Sequence, residues 1–501
     1  MNMRKPPSFS RTAPFCSRTQ LAACAVFSGC MLLNGCAAGP DYKRPDTALP
    51  AGFKEAWKSA QPRDAAPRGP WWEVFGDTAL NRLEERVSFS NQTLAQAEAK
   101  VRQAQALLAS VRAGEFPTVS VGASTTRSRA SSTTIATPSA TPVSRGVVQN
   151  YSLPVSATWE PDLWGRVRRG VESNRAALEA SVGDLEAARL LAQATLAQNY
   201  FQLRALDAQR RLFDDSVASY QRSLQLVQNQ YDVGVVARAD VVQAQVQLKT
   251  AQAQLIDLGV QRAQLEHAIA LLVGEAPSTF SVERAPLSAA PPEVPVGLPS
   301  ELLERRPDIA AAERRVAQAN AQIGVAMSAY FPTLTLSGSI GYQSATFAQW
   351  LTAPSRFWSL GPALAETIFD GGLRRAQTDQ ARAAYDANVA AYRQTVLTGL
   401  QDVEDNLAAL RILAEESTAQ DEALQLARQS LAITLNQYRA GTVSYLNVVT
   451  AQNTALASER TAIDLQNRRL SASVLLIKAL GGGWSVGDIP ADMATAEKAK
   501  P

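Results

Sequence analysis

The chain has 501 residues, 46% of them hydrophobic and 19% charged, so it can bury a large core and is not a disordered polymer. Its 49 Lys and Arg nearly balance 46 Asp and Glu, which leaves no basic footprint for nucleic acid. Cys16, Cys24, Cys30 and Cys36 are all the cysteines, and His267 is the single histidine. The body therefore holds no disulfide framework and no thiol or histidine metal cluster, and acid–base catalysis is poorly supplied.

Residues 1–20 are basic and polar, and residues 21–33 form a short apolar run. A spanning helix needs about 20 apolar residues, so residues 1–35 read as a signal peptide and not an anchor. Leu33-Asn34-Gly35-Cys36 then resembles a bacterial lipobox, with Phe27-Ser28-Gly29-Cys30 a weaker rival. The expected modification is a diacylglycerol thioether plus an N-acyl chain on Cys36, enough acyl chains for stable anchoring. Ala37 follows, not Asp, and the lipoprotein resemblance ties that to sorting to the outer membrane.

The rest of the chain is a duplication. Glu115-Phe116-Pro117-Thr118 recurs as Tyr330-Phe331-Pro332-Thr333, Tyr231-Asp232-Val233-Gly234 as Tyr438-Arg439-Ala440-Gly441, and Asp240-Val241-Val242 as Asn447-Val448-Val449. Residues 36–75 read as an extended N-terminal segment. Residues 76–280 are the first repeat, 281–299 a linker, 300–482 the second repeat and 483–501 a tail. Each repeat opens with an Ala/Gln-rich helix that an aromatic-Pro step stops. Alternating segments predict β-hairpins over 117–160 and 332–369. Proline-free runs predict long helices over 165–231 and 373–438, each roughly 100 Å at 1.5 Å per residue. Shorter helices return over 238–273 and 444–480. The apolar positions Val217, Tyr220, Leu224, Val227 and Tyr231 step as in a coiled coil, as do Val389, Tyr392, Val396 and Leu400.

Two hairpins supply four strands, and a closed barrel needs about eight or more. An open edge is not tolerated in hydrocarbon, so membrane insertion requires copies of the chain to share a barrel; three would supply twelve strands.

Several segments in order resemble one family: Cys36-Ala37-Ala38-Gly39-Pro40-Asp41-Tyr42-Lys43-Arg44-Pro45, Trp71-Trp72, Asp162-Leu163-Trp164-Gly165, Leu303-Glu304-Arg305-Arg306-Pro307-Asp308-Ile309 and Phe369-Asp370-Gly371-Gly372. They are similar to the TolC-like outer-membrane efflux factors, in the lipoprotein branch (OprM/NodT type) that serves resistance-nodulation-division tripartite pumps. The resemblance implies a mainly α fold with a membrane β-barrel, a homotrimer with a twelve-stranded β-barrel and a twelve-helix periplasmic α-barrel. It implies a passive exit duct for drugs or other small molecules, working with a periplasmic adaptor and an inner-membrane pump and lipid-anchored in the outer membrane. The alternative is an exit duct for metal-ion efflux or type I secretion. No cofactor is implied beyond the covalent lipid.

At the periplasmic tip the resemblance pairs Tyr438 with Asp240 as a latch, although the spacing from Leu431 and Leu435 also allows Tyr438 as a heptad core residue. It places a constriction at Leu446. Thr450 and Asn447 stand where relatives are acidic, so a neutral ring is expected there in place of a cation-binding one. An enzyme would need a nucleophile–base pair or a phosphate loop, and none is found. A filament scaffold would have no use for the hairpins.

Overall fold

The computed structural model describes residues 37–47, 50, 52–54, 69–129, 146–292 and 305–484. The signal peptide, Cys36 and most of the tail lie outside them. Helix composition follows intrinsic preference: Ala, Leu, Gln and Arg dominate. The helices are α1 (Thr78–Ser90), α2 (Gln92–Arg112), α3 (Arg166–Asp232), α4 (Arg238–Leu272), α5 (Pro307–Ser328), α6 (Leu373–Arg439) and α7 (Tyr445–Ala479). The two long helices, α3 and α6, have 67 residues each. Each begins at a carboxylate that accepts free backbone N–H groups. Asp162 accepts from Val167 and Arg168 at 3.0 and 2.8 Å. Asp370 accepts from Gly372 and Arg374 at 2.9 and 3.2 Å. The Arg374 side chain and these N–H groups hold the Asp370 carboxyl below its usual range. Thus the Asp of each motif caps a long helix.

The chain gathers into two units. The first comprises Ala109–Ser173 and Asn320–Ala383 with the N-terminal segment to Tyr42. It holds one antiparallel sheet of β1 (Thr118–Val121), β2 (Ser124–Ser128), β3 (Val148–Trp159), β4 (Thr333–Ser344) and β5 (Arg356–Ala365). β1 and β2 lie end to end on β3, which pairs β4, which pairs β5. The interruption falls at Gly122, which donates to the Pro154 carbonyl at 3.0 Å. Pro154 has no N–H to return, so the ladder breaks there. Register sorts the side chains strictly. One face carries Val119, Val155, Ile340, Trp358, Leu360 and Leu364; the other carries Ser120, Ser156, Ser337, Ser339 and Ser359. The apolar face is bare, with Trp358 77% and Leu360 80% exposed. Among the described residues β1/β2 and β5 each leave one edge without a strand.

The residues that follow Cys36 are clamped to this unit. Ala38 N–H donates to Trp164 O at 2.9 Å. The Arg169 guanidinium donates to Ala38 O, Gly39 O and the Asp41 carboxylate at 3.2, 3.3 and 2.9 Å, and Asn320 donates to Pro40 O at 2.9 Å. Gly39, at φ 93°, lies against Gly324 so closely that an added Cβ would stand 2.4 Å from the Gly324 Cα.

The second unit comprises Lys43–Leu108, Asn174–Ala319 and Ala384–Pro501. Its largest core joins Trp71, Trp72 and Phe75 to Leu80, Leu196, Phe201, Ile269 and Leu470. Of the expected coiled-coil positions, Tyr220, Val227, Tyr392 and Val396 are buried and Val217, Leu224, Val389 and Leu400 are half-buried. Tyr231 departs from that stripe and is exposed. The duplication reappears as paired close approaches. A Cβ on Gly274 would meet Ser90 O at 2.1 Å, and one on Gly481 would meet Arg305 O at 2.0 Å. Beside them Asn91 donates to Leu272 O at 2.8 Å and Arg306 to Ala479 O at 3.2 Å, each closing the end of a return helix.

One carboxylate in this core is unusual. Glu84 sits on the apolar stripe of α1 with Leu80, Leu83 and Val87, fully buried. Neither side-chain oxygen has a hydrogen-bond partner among the described residues. Burial pushes its pKa well above the ordinary value and so favours the neutral carboxyl. A raised folded-state pKa stabilises at low pH, and that contribution is lost as pH rises through the raised value. Glu84→Gln keeps the shape and cannot ionise. Thermal melts from mildly acid to mildly alkaline pH should show the variant losing less stability as pH rises; parallel profiles over the whole range would mean that Glu84 does not titrate in the core.

Candidate functional site

The tips of the two helix pairs are built alike. In the first repeat Gly234 N–H bonds Tyr231 O at 2.9 Å and Val235 N–H bonds Gln230 O at 2.8 Å. In the second, Gly441 bonds Tyr438 O and Thr442 bonds Gln437 O, both at 3.0 Å. Gly234 and Gly441 have φ of 81° and 72°, the left-handed step that this helix-ending motif needs and that a Cβ would oppose.

Between the tips lies a small core of Val227, Val241, Ala244, Tyr438, Tyr445, Val448 and Val449. Tyr438 is buried, 5.5 Å ring to ring from Tyr445. Its hydroxyl donates to the Gln230 side-chain oxygen at 2.6 Å. The family resemblance implies a pairing of Tyr438 with Asp240, but here the hydroxyl bonds Gln230, one residue before the α3 counterpart of Tyr438, and Tyr438 is also a buried core residue. Asp240 acts on it through charge: burial, then the Asp240 carboxylate, push the Tyr438 pKa up. The same causes, with Tyr438 and Tyr220 added, push Tyr445 to about 12. Both tyrosines are neutral at physiological pH. The Tyr438 bond therefore joins two neutral groups, worth about 0.5–1.5 kcal/mol against about 1.5–3 kcal/mol for a charged acceptor.

Leu446, Asn447 and Thr450 share the exposed face of α7, opposite buried Tyr445, Val448 and Val449. The Thr450 hydroxyl bonds back to Leu446 O at 3.0 Å, which spends its donor on the helix. This face is neutral at these three positions. No helix among the described residues is long and apolar enough to cross a membrane, and none of their His, Cys, Asp or Glu side chains group as a metal site. Sequence reasoning missed Gln230. Its signal was present, because Asn229-Gln230-Tyr231 recurs as Asn436-Gln437-Tyr438.

The outer membrane efflux protein model matches twice, over residues 85–275 and 298–482, once for each repeat. The chain belongs to the outer membrane efflux protein family. It is 32% identical to the pyoverdine export outer membrane protein OpmQ of Pseudomonas aeruginosa, over 92% of this chain and 96% of that one. It is also 32% identical to the toluene efflux pump outer membrane protein TtgI of Pseudomonas putida, over 91% and 97%. Among solved structures, the outer-membrane channel OprN superposes with a TM-score of 0.82 at 32% identity, covering 90% of this chain and all of that one. CusC, which forms a transmembrane channel, gives 0.78 at 26% identity, covering 89% of this chain and all of that one. This efflux protein is thus a mainly helical outer-membrane channel of a tripartite efflux system and not an enzyme.

In this channel Tyr438→Phe keeps the packing on Tyr445 and removes the donor to Gln230. Loss of about 1 kcal/mol should raise the closed-state conductance of the purified channel in planar bilayers several-fold. Asp240→Asn, which removes charge but no bond to Tyr438, should raise it less. Equal rises would return the partnership to Asp240.

Proposed function

We propose that three copies of this chain close one twelve-stranded β-barrel in the outer membrane and one twelve-helix α-barrel in the periplasm. The sheet carries this reading. Its apolar face is largely bare, its other face is mostly small and polar with Phe357 the large exception, and both edges lack partners among the described residues. Lipid outside and water inside suit that alternation, and only closure removes the edges. Aromatic groups flank it: Tyr151 packs on Phe347 and Trp350, while Trp164 stacks on Phe331 at 4.8 Å. Tyr151 and Trp159, at the two ends of this stretch of β3, lie about 26 Å apart along the strand, close to the roughly 25 Å apolar band of such barrels. The helices offer bare apolar positions for neighbouring copies. Val242, Val246, Ile256 and Val260 on α4 repeat at fourteen-residue spacing, two heptads.

Cys36 bears the lipid in this reading. The clamp of Ala38–Asp41 by Trp164, Arg169 and Asn320 supports it, since it holds the chain next to Cys36 beside the Trp164–Phe331 pair. The tip closes through Tyr438 on Gln230, with Asp240 adding charge, above a constriction at Leu446, Asn447 and Thr450. Cargo reaches it from an inner-membrane resistance-nodulation-division pump through a periplasmic adaptor. The relatives named for pyoverdine and toluene favour small organic molecules, drugs among them.

Purified lipoprotein should have the native mass of a trimer and conduct ions in planar bilayers. A monomer, or a trimer that stays silent even with Tyr438→Phe, would end this reading. Cys36→Ser should abolish incorporation of labelled palmitate; label that persists would move the anchor to Cys30.

A further inference from the structure

One level of the sheet is built differently from the rest. Gly122, where β1 gives way to β2, donates to Pro154 of β3; Pro154 pairs Gly341 of β4, and Gly341 pairs Phe357 of β5. At Gly341 the backbones crowd: an added Cβ would stand 2.2 Å from Leu153 O, so only glycine fits. Gly341 and Phe357 have the parity of Ser339 and Ser359, which puts the Phe357 ring on the polar face. Ser, Thr, Asn, Gln, Gly and Ala fill nearly every other strand position on that face, and Phe357 is its one aromatic residue among the described strands. The two charged strand residues, Arg127 and Arg356, pair with Gln149 and Tyr342 on the opposite face. The polar face is therefore uncharged along its described length. Phe357 is half-buried, so part of its ring stays open to that face. The level lies toward one end of the sheet. Pro154 is five residues along β3 from Trp159 and three from Tyr151, and the Tyr151 end is the one away from the long helices.

We infer that Phe357 is a specificity-determining contact for exported molecules: three copies form an apolar collar near the outer mouth, where aromatic cargo meets its last apolar surface. The inference rests on the trimer reading above. Twelve strands about 4.8 Å apart and tilted about 40° enclose a backbone ring roughly 24 Å across, so three inward rings narrow the passage more than the hydroxyl rows beside them. Rings of charged side chains select ions in pores, and this wall has none. Against such a wall an aromatic ring offers apolar area and a π face. Both favour aromatic molecules, cationic ones above all, over sugars.

The test uses the full lipoprotein in planar bilayers, with tetraphenylphosphonium added on the extracellular side as the probe and raffinose as the polar control. Phe357→Ser should weaken block of the ionic current by tetraphenylphosphonium about tenfold, Phe357→Trp should preserve it, and raffinose should act alike on all three channels. Unchanged block in Phe357→Ser would overturn the collar. Equal changes toward both probes would reduce the ring to a steric or structural part and overturn it too. Placement is checked separately, because the chain has no cysteine after Cys36. In outer membranes a membrane-impermeant maleimide should label Phe357→Cys and spare Trp358→Cys. The reverse pattern in a native trimer would overturn the collar and leave the trimer intact; a native monomer would remove both.

Discussion

Hydrocarbon offers nothing to an unpaired backbone amide, and the chain's architecture answers to that constraint. Four strand-widths of sheet cannot curl far enough to pair their own edges, so the proposed barrel joins β1/β2 to β5 of a neighbouring copy. Register does the rest. Because side chains alternate with period two, the pairing of Ser156 with Ser339 and of Ser339 with Ser359 commits Val155, Ile340 and Trp358 to the opposite face. In the proposed trimer the sheet also brings the helices of the copies together, and so makes the tip a property of the assembly.

Duplication sets how the second unit is held. Both return helices end at a glycine of positive φ pressed on a carbonyl, Gly274 on Ser90 and Gly481 on Arg305, where no side chain fits. The repeats then diverge chemically. Asn91 closes one end with a neutral amide; Arg306 closes the other while also paired to Asp308 and Asp402 at 2.7 and 3.2 Å. Burying a guanidinium is tolerable because both carboxylates and a carbonyl surround it. The same geometry is thus held by an uncharged device in one repeat and a charged one in the other.

The chemistry of the proposed gate is mild by comparison. A neutral Tyr438–Gln230 bond and apolar packing around Tyr445 hold the tip with an energy that binding of a partner can readily exceed. Thr450 spends its hydroxyl on its own helix, so the exposed face near Leu446 offers little to a cation. The gate proposed at this tip needs contacts of this strength.

Patterns of period two and period 3.5, the aromatic-Pro stops, the glycine-marked tips and the recurrence at about 207 residues were legible in the chain alone, because they are local or self-referential. They carry the strands, the long helices and the family. Partner choice among polar side chains was not legible. Asp240 and Gln230 lie equally close to the tip turns in sequence, and only the packing of α3 against α6 and α7 points Gln230 at the Tyr438 hydroxyl. The burial of Glu84 and the Arg169 clamp on residues 38–41 were hidden for the same reason. Each depends on which distant segments meet, and spacing along a chain does not encode that.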